Sequence, residues 1–91
     1  MTLLSIIDCL AERWGDALST TPDRIPALRA TVSCEDGIAM LEQGHTHWLV
    51  TVIITREGRC PLIAQGDGPD PEAAFEAARI DARATAPEAA A

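Results

Sequence analysis

Hydrophobic positions in this chain keep two different periods, and the switch between them divides it into elements. In "TLLSIIDCLAERWGDALS", Leu3, Ile7, Leu10, Trp14 and Leu18 recur at three- and four-residue intervals, with Ile6, Ala11 and Ala17 beside them. Ser5, Asp8, Glu12 and Asp16 fall on the opposite side. This spacing predicts an amphipathic helix, with Thr2 as its N-cap. The prolines and cap-type residues of "STTPDRIP" break the period, so residues 19–28 read as a connector.

From Ala30 onward the period is two. "RATVSCEDGIAMLEQ" has short alternating runs around Asp36-Gly37, a two-residue hairpin signal. A turn there sets Cys34 opposite Ala39 and Val32 opposite Leu41. "QGHT" reads as a second tight turn on Gly44, which sets Leu41 opposite Trp48 and Glu42 opposite His47. "HWLVTVIIT" is a strand. "TREGR" is a third turn, with Gly58 in the left-handed position of a bulged hairpin, setting Ile54 opposite Cys60 and Val52 opposite Leu62. "CPLIAQ" is the last strand, and Pro61 suits a sheet edge.

"GDGPDPEAAFEAARIDARA" then returns to a helical period. "GDGPD" reads as the turn leading in, Asp70 as N-cap, Pro71 as the first helical residue and Glu72 as a first-turn acid. Ala74, Phe75, Ala78 and Ala82 form one side; Glu72, Glu76, Arg79 and Arg83 form the other. The predicted fold class is α+β: an N-terminal helix, a four-stranded antiparallel β-meander and a C-terminal helix, with both helices on one sheet face. Residues 1–84 make one domain, and residues 85–91, around Pro87, a flexible tail.

The registers sort the strands into two faces. One carries Val32, Cys34, Ala39, Leu41, Trp48, Val50, Val52, Ile54, Cys60, Leu62 and Ala64, and should claim both helices. The other carries Thr31, Ser33, Glu35, Thr51, Thr55, Arg59, Pro61 and Gln65 among Ile38, Met40, Glu42, His47, Leu49, Ile53 and Ile63. With no helix left to cover it, that face is expected to stay open with a substantial apolar patch. Such patches on small domains mark interaction surfaces.

Charge narrows the choice of partner. Fourteen acids face seven basic residues, all arginine, for a net charge of −7. A surface of that sign repels phosphate backbones, so direct nucleic-acid binding is not expected. The acidic stripe Asp8, Glu12 and Asp16, spaced one helical turn apart, offers itself to a basic partner. No apolar run approaches the ~20 residues of a membrane span, and the first helix begins at once with acids in it, which does not read as a signal peptide. Three cysteines without C-x-x-C spacing fit no disulfide framework. A cytoplasmic protein with free thiols is expected, without membrane association.

The most suggestive chemistry is "EQGHTHWLV", with both histidines two positions apart. A metal needs three or four convergent ligands. The expected register puts Cys60 roughly 23 Å along the strand from His47 and Cys34 on the opposite face, leaving only Glu42 beside His47. Cys9, on the polar flank of the first helix near Asp8 and Glu12, lacks an activating cation. "GDGPD" has no phosphate-loop lysine and no calcium-loop spacing. Neither catalytic residue, metal nor cofactor is expected.

The helix–strands–helix layout is similar to that of the double-stranded-RNA-binding domain, but Arg79 and Arg83 are offset by Glu72 and Glu76, so that function is not carried over. "LIAQGDGPDPEAAFEAA" (62–78) resembles the closing strand and helix of HicB-like antitoxin domains and of other small phage proteins. The resemblance implies a small protein of a phage or other mobile element. The residues and this resemblance together lead to a non-enzymatic module acting by stoichiometric binding to a protein partner or to itself, as an anti-CRISPR-like inhibitor or an antitoxin. The alternative is a homodimeric small-ligand-binding protein or a structural subunit.

Overall fold

The computed structural model describes residues 2–20, 28–34 and 36–85. Helix α1 (Leu3–Ala17) is followed by strands β1 (Leu18–Thr20), β2 (Leu28–Ser33), β3 (Gly37–Gln43), β4 (Trp48–Ile54) and β5 (Leu62–Gly68), then helix α2 (Pro71–Thr85). The strands pair antiparallel in chain order. The four expected strands are present, and the chain leaving α1 adds a short fifth at one edge, where Leu18 pairs with Ala30. The connector's remaining residues, 21–27, and residues 86–91 of the expected tail lie outside the described residues; Thr85 itself is the last residue of α2.

Both helices start on side-chain caps. The Thr2 hydroxyl accepts from Ser5 N (3.1 Å), while Ser5 Oγ accepts from Thr2 N (3.0 Å), a reciprocal capping box with serine in the usual place of Glu or Gln. Asp70 Oδ1 accepts from Ala73 N at 2.8 Å. α1 then buries Leu3, Ile6, Ile7 and Leu10, and α2 buries Ala74, Phe75, Ala78 and Ala82. These side chains form one core with Ala30, Val32, Ala39, Leu41, Val50, Val52, Ile54 and Ala64 of the sheet. Cys34, Trp48 and Leu62 pack against its margin, where the Trp48 indole meets Trp14 edge-on, with centroids 6.0 Å apart.

Every hairpin is displaced by two residues from the expected register. Val32 pairs with Ala39, Leu41 with Val50, and Ile54 with Leu62. Because side chains alternate with period two, a two-residue slip keeps each residue on its face. The causes lie outside the strands. Gly37 does not sit in the first turn: Cys34 N donates to Gly37 O (2.7 Å) and Gly37 N to Cys34 O (3.4 Å), so the loop falls between them. A Cβ on Gly37 would lie 2.4 Å from Ile6 Cδ1, so its glycine makes room for α1. Gly44 likewise pairs with His47, donating to its carbonyl at 2.8 Å, and the tight turn is His45-Thr46. Gly58 is left-handed as expected (φ 70°), but the loop around it is wider. The Arg56 guanidinium donates to Cys60 O from Nε (3.1 Å) and Nη2 (2.8 Å), leaving Cys60 exposed in the loop and not opposite Ile54.

"GDG" is strand, not turn. Gly66 and Gly68 point at α2, where a Cβ on Gly66 would lie 2.1 Å from Ala78 N and one on Gly68 2.5 Å from Ala73 Cβ. Two glycines below and a run of alanines above let the backbone of α2 settle directly onto β5. β5 is an edge strand, as Pro61 suggested. Its Gln65 N–H, turned away from the sheet, is taken by Asp81 Oδ2 of α2 at 2.8 Å.

Candidate functional site

The face opposite the helices is laid out in rows by the observed pairing. Ser33, Ile38, Ile53 and Ile63 stand side by side across β2–β5; next come Thr31, Met40, Thr51 and Gln65; then Arg29, Glu42, Leu49 and Asp67. Three isoleucines in direct cross-strand succession make the first row an apolar stripe. Ile38, Met40, Thr51 and Ile53 are half-buried. Leu49 and Ile63 are 39% and 43% exposed. The expected patch residues Ile38, Met40, Leu49, Ile53 and Ile63 thus share one surface. Glu35 falls outside the described residues.

Glu42 and His47 do not make the expected contact. The register sets Glu42 opposite Leu49, and its carboxylate accepts instead from Arg29 Nη2 at 3.1 Å. His47 is exposed beyond the end of β4, with Nδ1 hydrogen-bonded to Thr46 Oγ1 at 2.6 Å. Both imidazoles nevertheless border the same shallow depression of about 430 Å³, together with Glu42, Leu49 and Asp67. Among the described residues no three His, Cys, Asp or Glu side chains are gathered so as to hold a metal ion. Arg29 and Asp67 belong to this surface although the sequence did not single them out. Asp67 was missed because glycine and aspartate together read as a turn; the alternation Ile63, Gln65, Asp67 outward against Ala64, Gly66, Gly68 inward was the available signal.

The acidic stripe of α1 is not uniform. Asp8 Oδ1 accepts from both Arg79 Nη2 (3.0 Å) and Nε (3.1 Å), tying α1 to α2, and Arg79 also reaches Glu76 at 3.6 Å. Glu12 and Asp16 are exposed. Beside this bridge, a cleft of about 700 Å³ between the helices is lined by Ala11, Trp14, Asp70, Glu72, Ala73, Phe75, Glu76 and Arg79. The helical layer as a whole carries Asp8, Glu12, Asp16, Asp70, Glu72, Glu76 and Asp81 against Arg13, Arg79 and Arg83, whereas the strand positions of the open face carry only Arg29, Glu42 and Asp67. Of the thiols, Cys60 is exposed, and Cys9, placed by the sequence on the polar flank of α1, is half-buried and packs against the core.

No helix among the described residues is long and apolar enough to cross a membrane. The chain matches no family model, no curated protein and no solved structure with which it was compared.

Proposed function

We propose that this chain is a small, acidic, non-enzymatic interaction module of the cytoplasm, acting by stoichiometric binding through the open face of its sheet. The carrying observation is the apolar stripe Ile38–Ile53–Ile63, with Met40 and Leu49 beside it, on a face that neither helix covers. Water contact with apolar area costs about 25 cal/mol per Å², so covering this face is favourable, and a surface of this kind on a small domain marks a binding site. The resemblance of residues 62–78, now the β5–α2 junction, to HicB-like and small phage proteins supports a mobile-element setting. There the module serves as an inhibitor of the anti-CRISPR kind or as an antitoxin, blocking a protein target without chemistry of its own.

The second reading, a small-ligand-binding protein, is favoured by the α1–α2 cleft with Trp14 and Phe75 in its wall. Among the described residues its one cation, Arg79, is already held by Asp8 and Glu76, which leaves that reading second. The test is capture from a bacterial lysate with the wild-type chain and with Ile53→Asp, scored by the molar ratio of bound species. Saturable association at fixed ratio, lost in Ile53→Asp, supports the proposal. Association that is indifferent to Ile53→Asp and Ile38→Asp overturns it.

A further inference from the structure

We infer that the open face is covered by a second copy of this chain, in a two-fold dimer whose axis runs parallel to the strands between β3 and β4. This rests on the interaction reading above: the face that meets a protein target docks a second copy when no target holds it. The observation behind it is the order of charges across the sheet. Arg29 on β2 and Asp67 on β5 stand at opposite ends of one row, equidistant in strand count from the β3–β4 midline. A two-fold axis along that midline lays β3 on the second copy's β4 and β2 on its β5. Arg29, itself bound to Glu42, then comes over the partner's Asp67, and by symmetry the contact occurs twice. In the same superposition Ile38 lies over the partner's Ile53, and Met40 over the partner's Thr51. An axis along β4 would instead bring Glu42 over the partner's Asp67, like charge on like.

Two further features agree. Two sheets packed face to face lie about 10 Å apart, and each helical layer about 10 Å beyond its own sheet. The two acidic helical layers are thus about 30 Å apart, well beyond the ~8 Å Debye length at physiological salt, so the excess of acids that those layers carry is screened across the dimer. Strand addition along β5 is discouraged, since Pro61 leads into that strand and Asp81 occupies the Gln65 N–H. The area sets the strength. Four strands about 4.8 Å apart and about six residues long cover roughly 400 Å² before side-chain relief, against about 800 Å² per partner in a standard interface. The dimer is therefore concentration-dependent and not obligate.

Sedimentation and native mass measurements from low-micromolar to near-millimolar chain test it, with far-UV circular dichroism checking that each variant is folded. The wild-type chain passes from monomer to dimer. Asp67→Arg, which sets two like-charged contacts against Arg29, weakens the dimer about tenfold. The double variant Arg29→Asp/Asp67→Arg recovers most of that loss. Ile63→Asp weakens it further still, while Ile80→Asp, on the exposed outer side of α2, does not. A dimer that loses strength in Ile80→Asp but not in Ile63→Asp overturns the inference, as does failure of the double variant to recover. A chain that stays monomeric throughout also overturns it. In that case, lysate capture that is still lost in Ile53→Asp leaves the broader interaction reading standing, and capture indifferent to that substitution removes both.

Discussion

The two faces of this sheet are written in alternate letters of the same strands, and both are rich in aliphatic side chains. They differ in what lies against them. Leu41 and Met40 are neighbours on β3; Leu41 is 0% exposed under the helices, and Met40 is half-buried on the open side. On the covered face Ala30, Val32, Ala39, Val50, Val52 and Ala64 are small or medium, with Leu41 and Ile54 the larger members, and they leave room for helices to settle. On the open face the apolar residues are larger, Ile38, Ile53, Ile63, Met40 and Leu49, and are interleaved with threonine. Small residues admit a close second layer from the same chain. Large ones in a row present a raised stripe to a layer that comes from elsewhere. Hydrophobicity alone does not separate core from contact surface here; covering does.

The sharpest way to break the comparison is to shorten one neighbour on each face. Leu41→Ala leaves a cavity in the core beneath α1 and should cost about 2–5 kcal/mol in urea unfolding. Met40→Ala removes a side chain that water already reaches and should cost under about 1 kcal/mol. Equal losses would mean that the open face is core to this fold. A smaller effect separates Gly66 from Gln65 on β5. Gly66→Ala drives a methyl into the backbone of α2 at Ala78 and should cost about 1–3 kcal/mol. Gln65→Ala should be nearly neutral. An unchanged midpoint for Gly66→Ala would show that α2 is free to lift off the sheet.

Face assignment was legible in the sequence, and register was not, for the same physical reason. A period of two tells which side a residue takes but is blind to shifts of two residues. What fixed the shifts was tertiary or lay in the loop: Ile6 packing where a Cβ on Gly37 would stand, and Arg56 bridging to the Cys60 carbonyl. Glu42 shows the consequence. It was placed on the correct face, yet its neighbour is Leu49 and its ion partner Arg29, not His47. "GDG" was misread because glycine and aspartate signal turns locally; only the helix lying on them shows why strand residues lack side chains there. The Asp8–Arg79 bridge joins residues 71 positions apart and leaves no local trace. The candidate surface was found through its aliphatic residues, while its charged rim, Arg29 and Asp67, emerged with the register.

The smallest expected effect on stability bears most directly on function. Ile63 is 43% exposed on an edge strand and stands beside Ile53. Ile63→Thr keeps the β-branched shape and the strand preference and removes only apolar contact area. In dilute solution, where the chain stands alone, its unfolding free energy should change by no more than about 0.5 kcal/mol. That corresponds to about 2–4 °C in Tm for a domain of this size. At high concentration the same substitution should lower Tm more than it does in dilute solution, because association stabilises the folded state by mass action and the substituted chain gains less from it. A large loss already present in dilute solution would place Ile63 in the fold and not on a docking surface. A small loss that does not grow with concentration would leave the isoleucine row exposed without a use in self-association.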